Sequence, residues 1–483
     1  MESMDAVQVP RLMISSPQKS SGKTMVSVGI VSHLVSQGIP VQSFKKGADF
    51  IDPMWLALAS GKECYNLDPY LMGIDACRYS FLNNSGNNNT LSLIEGNHGL
   101  HDGMNLDGSD SSAGVAVMLK TPVLLVVDSR HTNRGVAALV MGMQAMPPNV
   151  TIAGVILNQV RSGRQEDKQK SAIEKFCNVP VVGAIPMDKG LVIPERHLGL
   201  TTVGETEDAE QFVQRAGERV AHYCDMKTIR SLFYDAPALQ RKNIDTSETK
   251  TEVKVKIGVF RDAAFCFYYP ENLSALRNNG AELVFIDSLQ DSSLPDIDGL
   301  YLGGGFPESF LDVLSTNKGL LKNVHDRVVA GMPAYAECGG LIYLCRRASY
   351  GDKTYPLAGL LPFDIGFQHH PAGHGYLDLI SRSDSPWFKE GVQVKAHEFH
   401  YSKPVVQSAE CTYQFDVIRG NGITGKHDGL LYRNLFASYG HIHAIGNPGW
   451  AETFVSLASN EKALGSKKNK NIYSVFENFE TNN

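Results

Sequence analysis

Along the first 240 residues, short apolar runs alternate with longer segments of mixed character. The runs are Leu12-Met-Ile14, Leu91-Ser-Leu-Ile94, Pro122-Val-Leu-Leu-Val-Val127, Ile152-Ala-Gly-Val-Ile-Leu157 and Val179-Pro-Val-Val182. This rhythm predicts strands of a parallel α/β sheet with helices between them. Several runs lead into polar residues, Glu95, Asp128 and Asn158, and functional groups gather at the carboxyl ends of strands in such sheets. Gln240–Glu252 has almost nothing to bury and reads as a linker. The pattern restarts with Val255–Phe260 and continues through Glu282–Phe285, Gly299–Leu302 and Pro333–Ala336. Asn83–Asn89 reads as a loop, and the lysine- and asparagine-rich tail after Leu464 is expected to fray. The predicted organisation is a parallel-sheet domain over 1–238, a linker over 239–253, a second α/β domain over 254–464 and a polar tail over 465–483.

Composition agrees with two or three domains, since 483 residues exceed one ordinary core. A content of 43% hydrophobic and 20% charged residues is that of a globular chain, and a net charge of −6 gives no electrostatic case for nucleic-acid binding. No apolar run approaches the roughly 18 residues of a membrane span, so no membrane partner is expected. The acidic start Met1-Glu-Ser-Met-Asp5 lacks the features of an export signal. Eight scattered cysteines without a C-x-x-C pair form neither a disulfide framework nor a zinc site. A reducing cytoplasm is the expected location.

Two segments carry chemistry. Ser15-Ser-Pro-Gln-Lys-Ser-Ser-Gly-Lys-Thr24 follows the first strand and opens a helix-like run, Met25–Val31. Its ending suits a phosphate loop: backbone N–H groups around Ser20, Ser21 and Gly22 face phosphate, Lys23 reaches the outer phosphates and the Thr24 hydroxyl ligates Mg²⁺. Pro17 stands where a glycine is usual, and an ordinary small-residue turn is the alternative. Asp49, Asp52 and Glu95 are candidate acidic partners, because Mg²⁺ on a nucleotide takes one or two carboxylates; a turn cap and a solvated strand end are the plain alternatives. His98, His101 and Asp102 follow in a loop better suited to substrate contact than to a metal.

The second segment is Pro333-Ala-Tyr-Ala-Glu-Cys-Gly-Gly340, a short strand running into a thiol and two glycines ahead of a helix-like Leu341–Cys345. That layout suits a nucleophile on a tight strand-to-helix turn, acidified by the helix start. His441, in Ser438-Tyr-Gly-His-Ile-His443, is the candidate base. Gly303-Gly-Gly305 follows another strand; N–H groups of Gly304, Gly305 and Gly339 are candidates for an oxyanion hole, with a flexible turn as the alternative.

The ordered set of motifs resembles the cobyrinic acid a,c-diamide synthase family. It comprises Gly22–Thr24, Lys46–Pro53, Glu95–Gly103, Gly154–Asn158, Glu195–Leu200, Phe265–Asn272, Tyr301–Glu308, Ala336–Gly340, His397–Ser402 and Ser438–His443. The resemblance implies a dethiobiotin-synthetase-like ATP domain joined to a class I glutaminase domain. It also implies ATP, Mg²⁺, L-glutamine and a tetrapyrrole as reaction partners, with a homodimer as one option for assembly. By the same resemblance Cys338 is the glutaminase nucleophile and His441 its base. Thr24, Asp49 and Glu95 handle the metal, Asp52 and Asp102 the substrate, and Asn158 the nucleotide base. His443 stands where many class I glutaminases carry an acid, which leaves the third triad member open. The Gln18–Lys23 loop and Glu95–Gly103 look more like a branch linked to sirohaem than like typical cobyrinate enzymes. A nucleotide-switched ATPase without amidotransferase activity is the rival of another class.

Overall fold

The computed structural model describes residues 4–191, 193, 195–196, 199–242, 252–407 and 410–480. The chain divides into two compact units, 1–247 and 248–483. Of the Glu195–Leu200 motif, His197 and Leu198 lie outside the described residues, as do 243–251 of the expected linker.

The first unit is built on a seven-stranded sheet. Its strands run Tyr65–Leu67, Val41–Lys46, Leu91–Glu95, Arg11–Ser15, Val123–Asp128, Ile152–Val160 and Val181–Pro186 across the sheet, with every pairing parallel. Arg11–Ser15 lies in the middle, flanked by a strand that follows it at Leu91 and another at Val123. The order of the chain therefore reverses on either side of it, and the crevice at such a switch point is where ligands bind. Val41–Lys46 was not evident in the sequence because Gln42, Lys45 and Lys46 break its apolar pattern, yet all six residues are buried. The expected strand at 179–182 instead covers Val181–Pro186.

Two expectations at the ends of segments need correction. Leu239–Lys242 is a strand pairing antiparallel with Met4–Val7, so the start of the expected linker belongs to the first unit. Backbone pairing depends little on side-chain polarity, which is why composition did not reveal it. The last helix spans Gly449–Glu480, through the tail expected to fray; no proline interrupts it there.

The helix Lys23–Ser36 begins at the phosphate loop and packs closely on the helix Ala209–Tyr223. Gly29 permits that approach. A methyl group there would lie 2.7 Å from the Ala216 carbonyl oxygen and collide with Val220.

In the second unit, the strands Ala281–Ile286, Val255–Phe260, Gly299–Leu302, Ala334–Glu337 and Leu435–Ser438 form the parallel part of a ten-stranded sheet. Antiparallel strands, Gly373–Ser381 and Gln393–His400 among them, extend it, and a separate four-stranded sheet contains Cys345–Tyr350. The helix after the thiol is Gly339–Leu344, one residue shorter at its end than expected, because Cys345 opens that strand.

Gly29→Ala sets helix propensity, favouring alanine by about 1 kcal/mol, against overpacking of about 1–3 kcal/mol. Contact with a backbone oxygen puts the clash at the upper end, so a net destabilisation of about 1–2 kcal/mol is expected. Urea unfolding followed on the first unit checks this; a raised midpoint would contradict the packing account.

Candidate functional sites

In the first unit the loop after Arg11–Ser15 is held by its own polar atoms. Ser20 (φ 58°) and Gly22 (φ 89°) both turn through the left-handed region. The Ser16 and Ser21 hydroxyls donate to the Gln18 carbonyl at 2.6 and 2.9 Å. Asn158, 1% exposed, donates its side-chain N–H to Ser21 O at 2.9 Å. It braces the loop in this structure, and a Cβ at Gly22 would collide with its amide. Lys23 donates to Ser16 Oγ at 3.1 Å and to His98 O at 2.7 Å. Burial, and next the charge of Lys45, lowers its pKa to about 8.

Thr24 donates to Glu95 Oε1 at 2.9 Å. The residue missing from the sequence reading is Lys45. Its ammonium, 1% exposed, lies 2.9 Å from Glu95 Oε1 and 3.8 Å from Asp49, and it hydrogen-bonds Asp52. Burial works against charge on Lys45, but Asp52, Glu95 and Asp49 together raise its pKa above the ordinary lysine range. Burial also disfavours charge on Asp52, yet Lys45 overcomes it and holds this carboxyl below the usual range. Burial raises Glu95, while burial and the neighbouring Asp52 push Asp49 up to about 7.

Of the expected metal set, Thr24 and Glu95 lie together, and Asp49 stands 3.8 Å from the Lys45 ammonium. Among the described residues, no three His, Cys, Asp or Glu side chains converge as a metal site. Thr24 and Glu95 still fit a nucleotide-bound Mg²⁺: they lie side by side, and the buried Oε2 of Glu95 has no hydrogen-bond partner. Asp102 accepts from the Gly99 N–H at 2.9 Å and shapes the loop beside Lys23. His98 and His101 are separate, with the His101 ring on Met143 O at 2.9 Å.

In the second unit three adjacent parallel strands deliver the glycines, the thiol and the histidine to one edge. Leu302 leads into Gly303–Gly305, Glu337 into Cys338 and Ser438 into His441. Cys338 adopts φ 48°, ψ −100°, a strained backbone for a residue with a side chain. Its N–H donates to Ser438 O at 2.8 Å, and Gly340 N–H donates to Gly303 O at 3.0 Å, tying the turn to both flanking strands. Tyr268 supports the triple glycine, accepting from Gly303 N–H at 2.8 Å and donating to Phe260 O.

The glycines of the two turns and the His441 ring come together here. A Cβ at Gly304 would collide with the His441 ring and sit 3.1 Å from its Nε2. A Cβ at Gly339 would lie 3.2 Å from the Gly305 nitrogen. Gly305, at φ 152°, has no room for a side chain against Ala264 O. Phe399 O, from the His397–Ser402 motif, is 4.0 Å from Cys338 Sγ. His397 pairs across the strands with His441 and shares its face. Burial pulls the His397 pKa down to about 3, so this ring stays neutral.

Acidification of Cys338 by the helix start is not borne out. The thiol is 4% exposed, and burial, followed by the charge of Glu308, pushes its pKa well above the ordinary thiol range. The two histidines also differ. His443 is fully buried, with Nε2 3.5 Å from Glu271 Oε2 and Nδ1 accepting from Ile445 N–H at 3.3 Å. Asn272 clamps its neighbours, donating to Ile442 O at 2.8 Å and accepting from Ala444 N–H at 2.7 Å. Glu337, also overlooked in the sequence, has Oε2 3.4 Å from His441 Nδ1.

A thiol, an imidazole and facing glycines on one sheet edge are the groups a thiol-dependent glutaminase needs, and the second unit that carries them is a glutamine amidotransferase domain joined in this chain to a phosphate-loop unit. Residues 256–448 match the CobB/CobQ-like glutamine amidotransferase domain, and residues 75–195 match an AAA domain. The chain is 44% identical over 449 residues to the cobyrinate a,c-diamide synthase of Magnetococcus marinus, covering 92% of this chain and 96% of that protein. It is 38% identical over 459 residues to the Archaeoglobus fulgidus protein of the same name, covering 94% and 99%. The chain belongs to the cobyrinate a,c-diamide synthase family and is a glutamine-dependent, ATP-using carbon–nitrogen ligase. No helix among the described residues is long and apolar enough to cross a membrane.

A raised thiol pKa leaves the thiolate a small minority at neutral pH, and that fraction grows tenfold with each pH unit. Alkylation of Cys338 by a small neutral reagent, mapped by peptide mass, is therefore expected to rise about tenfold per unit from pH 7 to 9. A plateau below pH 8 would contradict a buried, protonated thiol. His441→Ala is expected to slow trapping of Cys338 by a glutamine-mimicking electrophile about 10²–10⁴-fold, and His443→Ala far less. The reverse order would move the base to His443.

Proposed function

We propose that this protein is a cobyrinate a,c-diamide synthase, amidating the a and c acetate carboxylates of the macrocycle. The names of its relatives supply the substrate. The observation that carries the chemistry is the strained Cys338 turn beside His441 and the facing glycines.

In the second unit, Cys338 gives its proton to His441 as sulfur attacks the side-chain amide carbon of glutamine. N–H groups of Gly304, Gly305 and Gly339 receive the developing oxyanion, where preorganised donors are worth most. His441 returns the proton to the leaving ammonia. Water then cleaves the thioester, releasing glutamate and restoring the thiol.

In the first unit, ATP phosphorylates a substrate carboxylate, giving ADP and an acyl phosphate. A free carboxylate is too poor an electrophile for ammonia, whereas phosphate is a competent leaving group. Backbone N–H groups at Ser20, Ser21 and Gly22 with Lys23 hold the phosphates, and Asn158 braces the loop beside the base. Thr24 and Glu95 would hold Mg²⁺, which neutralises phosphate charge when bound, with Asp49 at the edge of the same cluster. Asp52 and Asp102 orient the substrate; the pairing of Asp52 with Lys45 keeps that carboxylate ionised. Ammonia from the glutaminase displaces phosphate and leaves the amide. A homodimer in a cytoplasmic compartment completes the reading, and light scattering of the purified protein tests the dimer.

Purified protein given ATP, Mg²⁺ and glutamine with cobyrinic acid, sirohydrochlorin and sirohaem, read by product mass, tests the macrocycle. Amidation of cobyrinic acid is expected. Preference for a sirohaem-type substrate would instead follow the departures at Gln18–Lys23 and Glu95–Gly103, and glutamine-independent ATP turnover alone would favour a switch ATPase. Cys338→Ser is expected to abolish amidation with glutamine and retain it with ammonium. Glu95→Gln is expected to abolish both. Loss of both activities in Cys338→Ser, or wild-type rates in Glu95→Gln, would contradict the division of labour.

A further inference from the structure

We propose that Glu337, the residue immediately before the nucleophile, is the positioning carboxylate of the Cys338–His441 pair. It would take the part that an acid two residues after the histidine plays in many class I glutaminases. The inference rests on the assignment of Cys338 and His441 as the glutaminase pair.

Glu337 ends the central strand of the second unit and is 1% exposed. A buried carboxylate is unfavourable unless several donors satisfy it, and Glu337 meets donors from three directions. Oε2 lies 3.4 Å from His441 Nδ1 and accepts from the Tyr301 hydroxyl at 3.2 Å. Oε1 accepts from Ile442 N–H at 3.2 Å, so the same carboxylate grips both the imidazole and the backbone that carries it. A carboxylate accepts only, so Nδ1 must carry the proton. Nε2 is then left as the acceptor, which is the tautomer a base for the thiol needs.

The usual acid position is unavailable. His443 occupies it, and this ring is engaged with Glu271 and with Ile445 N–H. The acid therefore comes from the nucleophile's own strand. That placement has a geometric benefit: the turn at Cys338 and the carboxylate that sets the histidine tautomer are consecutive residues, so a single strand end fixes both.

The test compares Glu337→Gln with Glu337→Asp in the full-length protein, reading kcat and KM for glutamine hydrolysis and, separately, amidation from ammonium. In Glu337→Gln an amide oxygen in the Oε1 place still serves Ile442 N–H, which leaves the NH₂ in the Oε2 place, facing Nδ1 and the Tyr301 hydroxyl and favouring the wrong tautomer. A fall in kcat of about 10²–10⁴-fold is expected, with KM nearly unchanged and ammonium-dependent amidation retained. Glu337→Asp keeps the charge and is expected to be at least about tenfold more active than Glu337→Gln, within the range of general-base effects. A role limited to filling space predicts the opposite order, because glutamine keeps the shape and aspartate does not; that order, or a fully active Glu337→Gln, overturns the proposal. Should Glu337→Gln lose ammonium-dependent activity, and with it the fold, the aspartate variant decides. Lowered kcat at unchanged KM supports the role, and raised KM at unchanged kcat overturns it. A wild-type protein that neither hydrolyses glutamine nor labels at Cys338 would instead overturn the glutaminase assignment itself.

Discussion

The glutaminase half depends on one constraint: Cys338 is held at a backbone conformation that a residue with a side chain avoids. A conformation of this kind costs about 1–3 kcal/mol and persists only where its surroundings over-determine it. Here the surroundings are two hydrogen bonds, Cys338 N–H to Ser438 O and Gly340 N–H to Gly303 O. Each joins the turn to a neighbouring strand, so the three strand ends form one rigid platform. The glycines and the imidazole ride on the same platform, and their placement around the sulfur follows from parallel pairing rather than from mobile loops. The strain is thereby converted into pre-organisation.

The same platform explains why the thiol can rest in its protonated form. Burial that raises the thiol pKa also keeps the sulfur away from adventitious oxidants and electrophiles. In the proposed mechanism thiolate is then needed only when the substrate is present and the imidazole can take the proton. In the ATP-binding unit the problem is reversed, since too many charges are buried rather than too few. Lys45 sits among the carboxylates at 49, 52 and 95 and offsets part of their charge. Both units place their chemistry at the carboxyl ends of central parallel strands, where free N–H groups and helix starts converge.

Much of this was legible in the sequence because a few residue types have few uses. Gly-Lys-Thr after an apolar strand and Cys-Gly-Gly after another signal turns whose backbones must approach a ligand. The two sheets were legible from runs such as Val123–Asp128 and Val255–Phe260. Strands with mixed surfaces were not: Val41–Lys46 hides two buried lysines, of which Lys45 is held among carboxylates, and Leu239–Lys242 looks like a linker because its pairing is through the backbone. Lys45 and Glu337 escaped for a related reason. A lysine beside a loop and a glutamate ending a strand look like solvated residues until tertiary structure surrounds them with partners. The expectation of an acidified Cys338 failed because helix-start stabilisation was weighed without the desolvation that opposes it.

The account's central claim is that the glutamine amide nitrogen, released at Cys338, is fixed onto cobyrinate by ATP chemistry in the other half of the chain. Its most direct test is mass analysis of the product formed from amide-¹⁵N-labelled glutamine, ATP, Mg²⁺ and cobyrinic acid by the purified protein. The account predicts ATP-dependent appearance of a diamide carrying two ¹⁵N atoms, with label absent when Cys338→Ser is supplied with the same glutamine. Glutamine hydrolysis with no ATP-dependent ¹⁵N in any carboxylate of the macrocycle would contradict it.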